Sequence, residues 1–306
     1  MLDRDRAVQQ IRESEFAHLE TQLAALLEPS IRVGVRPGPG EELELGESRF
    51  GGLPDLPPSL AWPRYGERPM ALIAQLRLAD LTAIDSRQLL PHHGWLYFFF
   101  DAANDAPYED APDGQRSWRV LYFDGPAEQL QRTTPPEPRD EHNEFQLSTL
   151  GFDEELTLPS YGSTLLAETP IDAAQRKAYE ELVFALHARA PLPHEDVASM
   201  LDKLQGRLQQ WWIGEPIHRI LGHPEHFQLD PRVDWQRLAE HRLVTRAADE
   251  GIEAAARDWL LLLQVDNYAG GPDWMWGDND TLYFGIHKDD LAARRFDAVQ
   301  WTVECG

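Results

Sequence analysis

The sequence predicts an α+β fold of internally duplicated, mostly antiparallel β units, with a helical insertion between them and an N-terminal helix. Three observations lead there. Strand-like runs come in two clusters rather than alternating with helices, which argues against a doubly wound parallel sheet. The same four signals recur in the same order in both clusters. Helical periodicity is concentrated at the N-terminus and in the middle of the chain.

Taken in order, Val8, Ile11, Phe16, Leu19, Leu23, Leu26 and Leu27 fall at mostly helical spacing with charges between them. They predict one amphipathic helix over residues 6–27, ended by Pro29. Residues 36–63 are dense in Gly and Pro and read as a turn-rich loop. The runs ALIAQLRLADL, GWLYFFFDA and RSWRVLYFDG are apolar and aromatic between turn residues, as paired strands should be. Residues 101–114 hold five acids, two prolines and no base, the make-up of an exposed loop. At Thr169 the tetrapeptide TPID carries helix-start chemistry. Tyr179, Leu182, Val183 and Leu186, then Val197, Met200, Leu201, Leu204, Leu208, Trp211 and Trp212 after Pro193, suggest a helical hairpin. Asp234 is placed to cap a third helix running towards Arg257, and DWLLLLQVD, TLYFGIH and FDAVQWTVE close the chain as strands.

The repeat joins these pieces into a single domain over residues 1–306. Its first copy spans about 45–125, the helical insertion about 169–212 and the second copy about 215–306. Each copy opens on a Gly-to-Pro turn, GGLP at Gly51 and GHP at Gly222. An apolar run follows that ends in glutamine, Gln75 and Gln264; then comes Leu-Tyr-Phe, at Leu96 to Phe98 and Leu282 to Phe284; a last strand closes the copy. Equal motif order predicts that Gln75 superimposes on Gln264 and Tyr97 on Tyr283.

FGGLPDLPPSLAWP, AQLRLADL, GWLYFFFD, HRILGHPEHFQ, LLLQVD, MWGDNDTLYF and DLAARRFDAV together resemble the YwqG-like family of bacterial proteins, a domain of unknown function. The resemblance covers most of residues 45–125 and 215–306. It implies a mixed α and β single-domain protein of the bacterial cytoplasm, and it supplies no reaction and no catalytic residue. Where the family usually has an acidic loop before Met-Trp-Gly-Asp, this chain has NYAGGPDW, which argues against an ion site there.

Composition narrows the function. The 28 Lys and Arg against 52 Asp and Glu give a formal net charge of −24, which repels phosphate backbones and anionic lipids. Neither nucleic acid nor a membrane is the expected partner. The N-terminus MLDRDRAVQQ has no secretory or transit pattern, and the most apolar run, Trp259 to Val265, is interrupted by Gln264, so the expected location is cytoplasmic. Cys305, the only cysteine, rules out an intrachain disulfide and a cysteine-rich metal site.

Candidate chemistry is sparse. His218, His223 and His226, with Asp230 downstream, are the residues to weigh for a metal, although Pro224 lies among them and no i, i+4 pair is present. Asp278, Asn279 and Asp280 offer oxygen ligands without the Gly and late Glu of a calcium loop. There is no Walker loop, no G-x-G-x-x-G and no nucleophile elbow around Ser163. Cys305 beside Glu304 is poorly placed as a thiolate. Gln75 and Gln264 stand inside apolar runs and need partners, either their own Gly-Pro loops or a ligand. No catalytic residue and no cofactor is expected, and a possible binding cleft takes in Trp62, Gln75, Gln264, Trp276 and Asp278. The preferred reading is an acidic binding protein that neutralises a basic protein such as a toxin. The alternative is a small-molecule or metal-dependent enzyme with a cleft between the repeats.

Overall fold

The computed structural model describes residues 4–37, 43–103, 116–138, 143–186, 217–241, 249–267, 274 and 281–304. The second arm of the expected helical hairpin, most of the acidic loop after Asp101, and Trp276 and Asp278 lie outside the described residues.

A ten-stranded antiparallel sheet dominates the molecule. Its middle is a long pair, β1 (Glu28–Pro37) and β10 (Ser148–Thr157), aligned over ten positions. Outward from β10 come β2 (Arg49–Phe50), β6 (Ala71–Arg77), β7 (Trp95–Phe100) and β8 (Trp118–Phe123). Outward from β1 come β11 (His218–Ile220), β12 (Trp259–Val265), β13 (Thr281–His287) and β14 (Gln300–Glu304). Two small ribbons, β3 (Asp55–Leu56) with β9 (Gln131–Arg132) and β4 (Arg64–Tyr65) with β5 (Arg68–Pro69), stand apart from it.

The sheet curls until its two ends meet. β7 and β13 are seven strand intervals apart in the order of the sheet, about 33 Å in a flat sheet. Yet Phe98 and Phe284 have ring centroids 5.3 Å apart, and Trp301 stacks on Phe100 at 4.8 Å and on Trp118 at 5.8 Å. The enclosed face forms the main core, with apolar side chains from both ends of the sheet. Burying each such aromatic contributes about 1.5–3 kcal/mol, so closure is driven by the aromatic density of both outer strand pairs.

Helices cover the outside. The expected single N-terminal helix is two, α1 (Arg4–Glu13) and α2 (Glu20–Leu26), because the Ser14 hydroxyl donates to Ile11 C=O and accepts from Phe16 N–H, which competes with helix propagation. The LADL that follows β6 is the short helix α3 (Leu78–Leu81) rather than strand. α4 (Arg176–Leu186) starts seven residues after Thr169, the turn before it being closed by Asp172 Oδ1 accepting from Ala174 and Gln175 N–H. α1, α2 and α4 share a second core around Phe16, Leu23 and Tyr179.

In place of one helix begun at Asp234 there are α5 (Pro231–Ala239), capped by Asp230, and α6 (Glu250–Ala256), capped by Asp249. Asp230 is the cap because Pro231 occupies the first helical position, where a missing N–H costs nothing. After β13 comes α7 (Lys288–Ala292). Gly285 on β13 lets α5 approach: a Cβ there would stand 2.1 Å from the Trp235 ring.

Candidate functional site

Four side chains in each half form a buried polar node, and the strand register places them. On the first side Arg49 is opposite Gln75, which is opposite Tyr97. On the second, Arg219 is opposite Gln264, which is opposite Tyr283. A β-bulge precedes each glutamine, between Leu72 and Ala74 and between Leu261 and Leu263.

Each glutamine ties down the loop that leaves the innermost short strand. Gln75 Oε1 accepts from Asp55 N–H at 2.7 Å and its Nε2 donates to Glu47 C=O at 2.9 Å and Asp55 Oδ2 at 3.0 Å. Gln264 Oε1 accepts from Glu225 N–H at 2.9 Å and its Nε2 donates to Ile217 C=O at 3.3 Å. Tyr97 Oη donates to Asp55 C=O at 2.7 Å, and Tyr283 Oη to Glu225 C=O at 2.6 Å. Both tyrosines are buried, which pushes their phenols up from the ordinary value.

Both arginines are buried in these nodes and were not picked out from the sequence. Arg49 reaches Asp55 Oδ2 at 2.6 Å and the carbonyl of Leu53 at 3.2 Å; burial, against the pull of Asp55, brings its guanidinium down to about 10. Asp55 is fully buried and also accepts from Arg132 Nε at 2.5 Å and Gly46 N–H at 2.8 Å. Arg219 donates to Glu155 Oε1 at 2.5 Å and to His223 C=O at 3.0 Å. The signal was present: Arg49, Gly52, Pro54, Asp55 and Arg219, Gly222, Pro224, Glu225 share one spacing, R-x-x-G-x-P-acid. Gly52 and Gly222 both adopt positive φ, 67° and 69°, as such turns require.

The three histidines are all buried; His218 and His223 are held by separate hydrogen bonds, while neither ring nitrogen of His226 has a hydrogen-bond partner. His223 Nε2 faces Leu26 C=O at 2.8 Å and its Nδ1 faces Arg232 Nη2 at 2.9 Å, which fixes a neutral ring with the proton on Nε2. His218 Nδ1 accepts from Asp266 N–H at 3.2 Å. Burial brings His218 down to about 3 and His223 to about 4, and it lowers His226 as well. Asp230 is engaged by Ser163 Oγ, Thr164 N–H and Arg232 N–H. Among the described residues no group of three or more His, Cys, Asp and Glu side chains is arranged to hold a metal ion.

Of the expected cleft residues, Trp62 and Gln75 belong to the first half. The Trp62 indole donates to Met70 C=O at 2.9 Å and meets Phe99 edge-on. Gln264 belongs to the second half, and no hydrogen bond or ring contact joins it to Trp62 or Gln75. A groove of about 820 Å³ lies elsewhere, where β8 approaches the 3-10 turn Phe296–Ala298 and the end of α5. It runs between the two halves, with Trp118, Val120 and Arg119 on one wall and Phe296, Val299 and Glu240 on the other.

A curled antiparallel sheet with a buried polar node on either side of its central pair defines a mixed α and β domain. The profile of one family, described as a domain of unknown function (DUF1963), matches residues 48–305, and the chain belongs to that family. No curated protein matches the chain. No helix among the described residues is long and apolar enough to cross a membrane.

Proposed function

We propose that the chain is a non-catalytic binding protein whose partner is a basic protein, a toxin being the concrete case. The observation that carries this reading is how the buried polar side chains are used. Gln75, Gln264 and His223, three of the groups from which a reaction or ligand site would be built, spend their hydrogen bonds inside the fold. The chain carries a net charge of −24 for recognition at its surface. Such a charge speeds encounter with a cationic partner and is screened beyond about 8 Å at physiological salt.

Two finer points belong to the same proposal. The halves are an internal duplication, which accounts for the shared spacing and the matching registers. The chain is also a YwqG-like member of its family. The test is to recover what co-purifies with the tagged chain and measure association between about 0.02 M and about 0.5 M salt, where a steered rate should fall at least about tenfold. Charge reversal of Glu41, Glu42 and Glu44 should slow it further. An acidic partner, or a rate indifferent to salt, would overturn the reading.

A further inference from the structure

The turn that carries Glu225, His226 and Phe227 is pinned through its backbone. Glu225 N–H donates to Gln264 Oε1 at 2.9 Å, His226 N–H to Ser160 Oγ at 3.0 Å, and Phe227 N–H to Glu304 Oε2 at 2.9 Å. Ser160 Oγ donates in turn to Pro224 C=O at 3.3 Å. Three consecutive amides held from three separate stretches of chain fix where His226 stands, as a binding group has to be fixed.

The ring at the centre of that turn takes no part in the pinning. His226 is 3% exposed, and neither its Nδ1 nor its Nε2 has a hydrogen-bond partner. His223, three residues earlier, has both nitrogens engaged. Burial lowers the pKa of His226, so near neutral pH its ring is uncharged and carries one N–H donor and one bare acceptor. Native proteins seldom bury such a pair without something to meet it.

His226 lines a pocket of about 300 Å³, the room of about ten water molecules or of one small substituted ring. Val183 and Phe184 from α4, with Tyr161 and Phe227, supply its apolar walls. Phe184 is 39% exposed, a large apolar side chain kept at the surface beside the pocket. The three acids around it each have a cation beside them: Glu180 has Arg176 at 2.7 Å, Glu181 has Lys177 at 3.8 Å, and Glu225 has Arg219 at 3.9 Å. Apolar walls with one fixed polar group are the make-up of a small-molecule site, and a rim of paired charges favours a ligand without net charge.

We propose that this pocket binds a small neutral ring bearing a hydroxyl, of the phenol class, with the hydroxyl paired to the His226 imidazole and the ring packed among Val183, Phe184 and Phe227. A hydroxyl both donates and accepts, so it serves either nitrogen. A carboxylate would add a fourth acid to the rim, and a plain hydrocarbon would leave the imidazole unmatched. The site goes beyond the protein-binding reading and depends on none of the surface charge that reading uses, so each can fail alone.

The test titrates the full chain, labelled at histidine, with 4-methylphenol, and with toluene and benzoate as controls, following the imidazole nitrogen resonances. Those of His226 should shift saturably with a Kd of about 1 mM or tighter for 4-methylphenol, and at least about tenfold weaker for both controls. Those of His223 should stay in place. In His226→Leu, calorimetry should show 4-methylphenol weakened at least about tenfold, to the level of toluene. Should that variant not fold, the titration of the unaltered chain decides alone. His226 resonances unmoved up to about 10 mM 4-methylphenol overturn the proposal and leave the ring to trapped water. Toluene bound as tightly as 4-methylphenol, or His226→Leu binding 4-methylphenol unchanged, overturns the hydroxyl pairing, and benzoate bound more tightly overturns the neutral class.

Discussion

The two polar nodes share their arginine, glutamine and tyrosine but neutralise the arginine differently. In the first, the loop acid is Asp55, short enough to turn inward and meet Arg49 at 2.6 Å. In the second it is Glu225, one methylene longer, and its carboxylate stays 3.9 Å from Arg219. Glu155, from central strand β10, takes its place at 2.5 Å. The constant requirement is a buried guanidinium that gathers the loop carbonyls; the counter-ion is supplied from wherever the chain allows. An uncompensated buried charge is costly, so one of the two sources must be present.

The sharpest way to break this comparison is to remove the acids one at a time. Asp55→Ala strands Arg49, fully buried, and should cost about 3–5 kcal/mol. Glu155→Ala should act similarly on Arg219, whose side chain is 1% exposed. Glu225→Ala leaves the Glu155 pair intact and should cost about 1 kcal/mol or less. Urea unfolding of the three variants checks the order. Equal losses for Asp55→Ala and Glu225→Ala would show that the loop acid does the same work in both halves.

A second difference is titratable. The second half buries His218, His223 and His226, and at the matching spacing the first half has Ser48, Leu53 and Leu56. His218 and His223 are held near 3 and 4, below their unfolded value, so their contribution is full above pH 6.5 and is lost on acidification. Between pH 7 and 5 each should cost about 2 kcal/mol. Asp234 works the other way: burial raises it to about 6, so it takes up a proton in the folded state and gives back about 1 kcal/mol over the same range. The histidines win, and stability should fall by about 3 kcal/mol. In His223→Gln, whose amide can still accept from Arg232 and donate to Leu26, the fall should shrink by about 2 kcal/mol. A fall of unchanged size in that variant would take His223 out of the acid sensitivity.

What the sequence made legible follows from where its signals are strongest. β6, β7, β12 and β13 are apolar runs buried on both faces and β8 is an aromatic run with its outer face half-buried, and all five are readable as strands. The central pair was not, because β1 contains Pro29, Gly34 and Pro37, and β10 carries Asp153, Glu154 and Glu155 in succession. Cross-strand pairing, Arg32 opposite Asp153 and Gly34 opposite Gly151, stabilises them where local propensity does not. The glutamines stood out as polar residues in apolar runs. Arg49 and Arg219 did not, since an arginine beside a Gly-Pro loop ordinarily reads as surface, and only the shared spacing of the two loops marks it.

The smallest expected contrast is between the glutamines themselves. Leucine at either position keeps the volume and removes the amide, leaving buried backbone groups without partners at about 1–3 kcal/mol. Gln264→Leu frees Glu225 N–H and Ile217 C=O. Gln75→Leu frees Asp55 N–H and Glu47 C=O and also strips a donor from the Asp55 carboxylate, so its loss should lie nearer the upper end. Glutamate separates amide from shape. Gln75→Glu would put a second carboxylate against Asp55 and should be worse than Gln75→Leu, because like charges in a buried site repel strongly. Gln264→Glu keeps the acceptor for Glu225 N–H and puts a carboxylate at the position opposite Arg219 in the strand register. It should be no worse than Gln264→Leu. Thermal melts of the four variants at pH 7 give the ordering, and a Gln75→Glu variant as stable as Gln75→Leu would mean that Asp55 is not the charged centre of the first node.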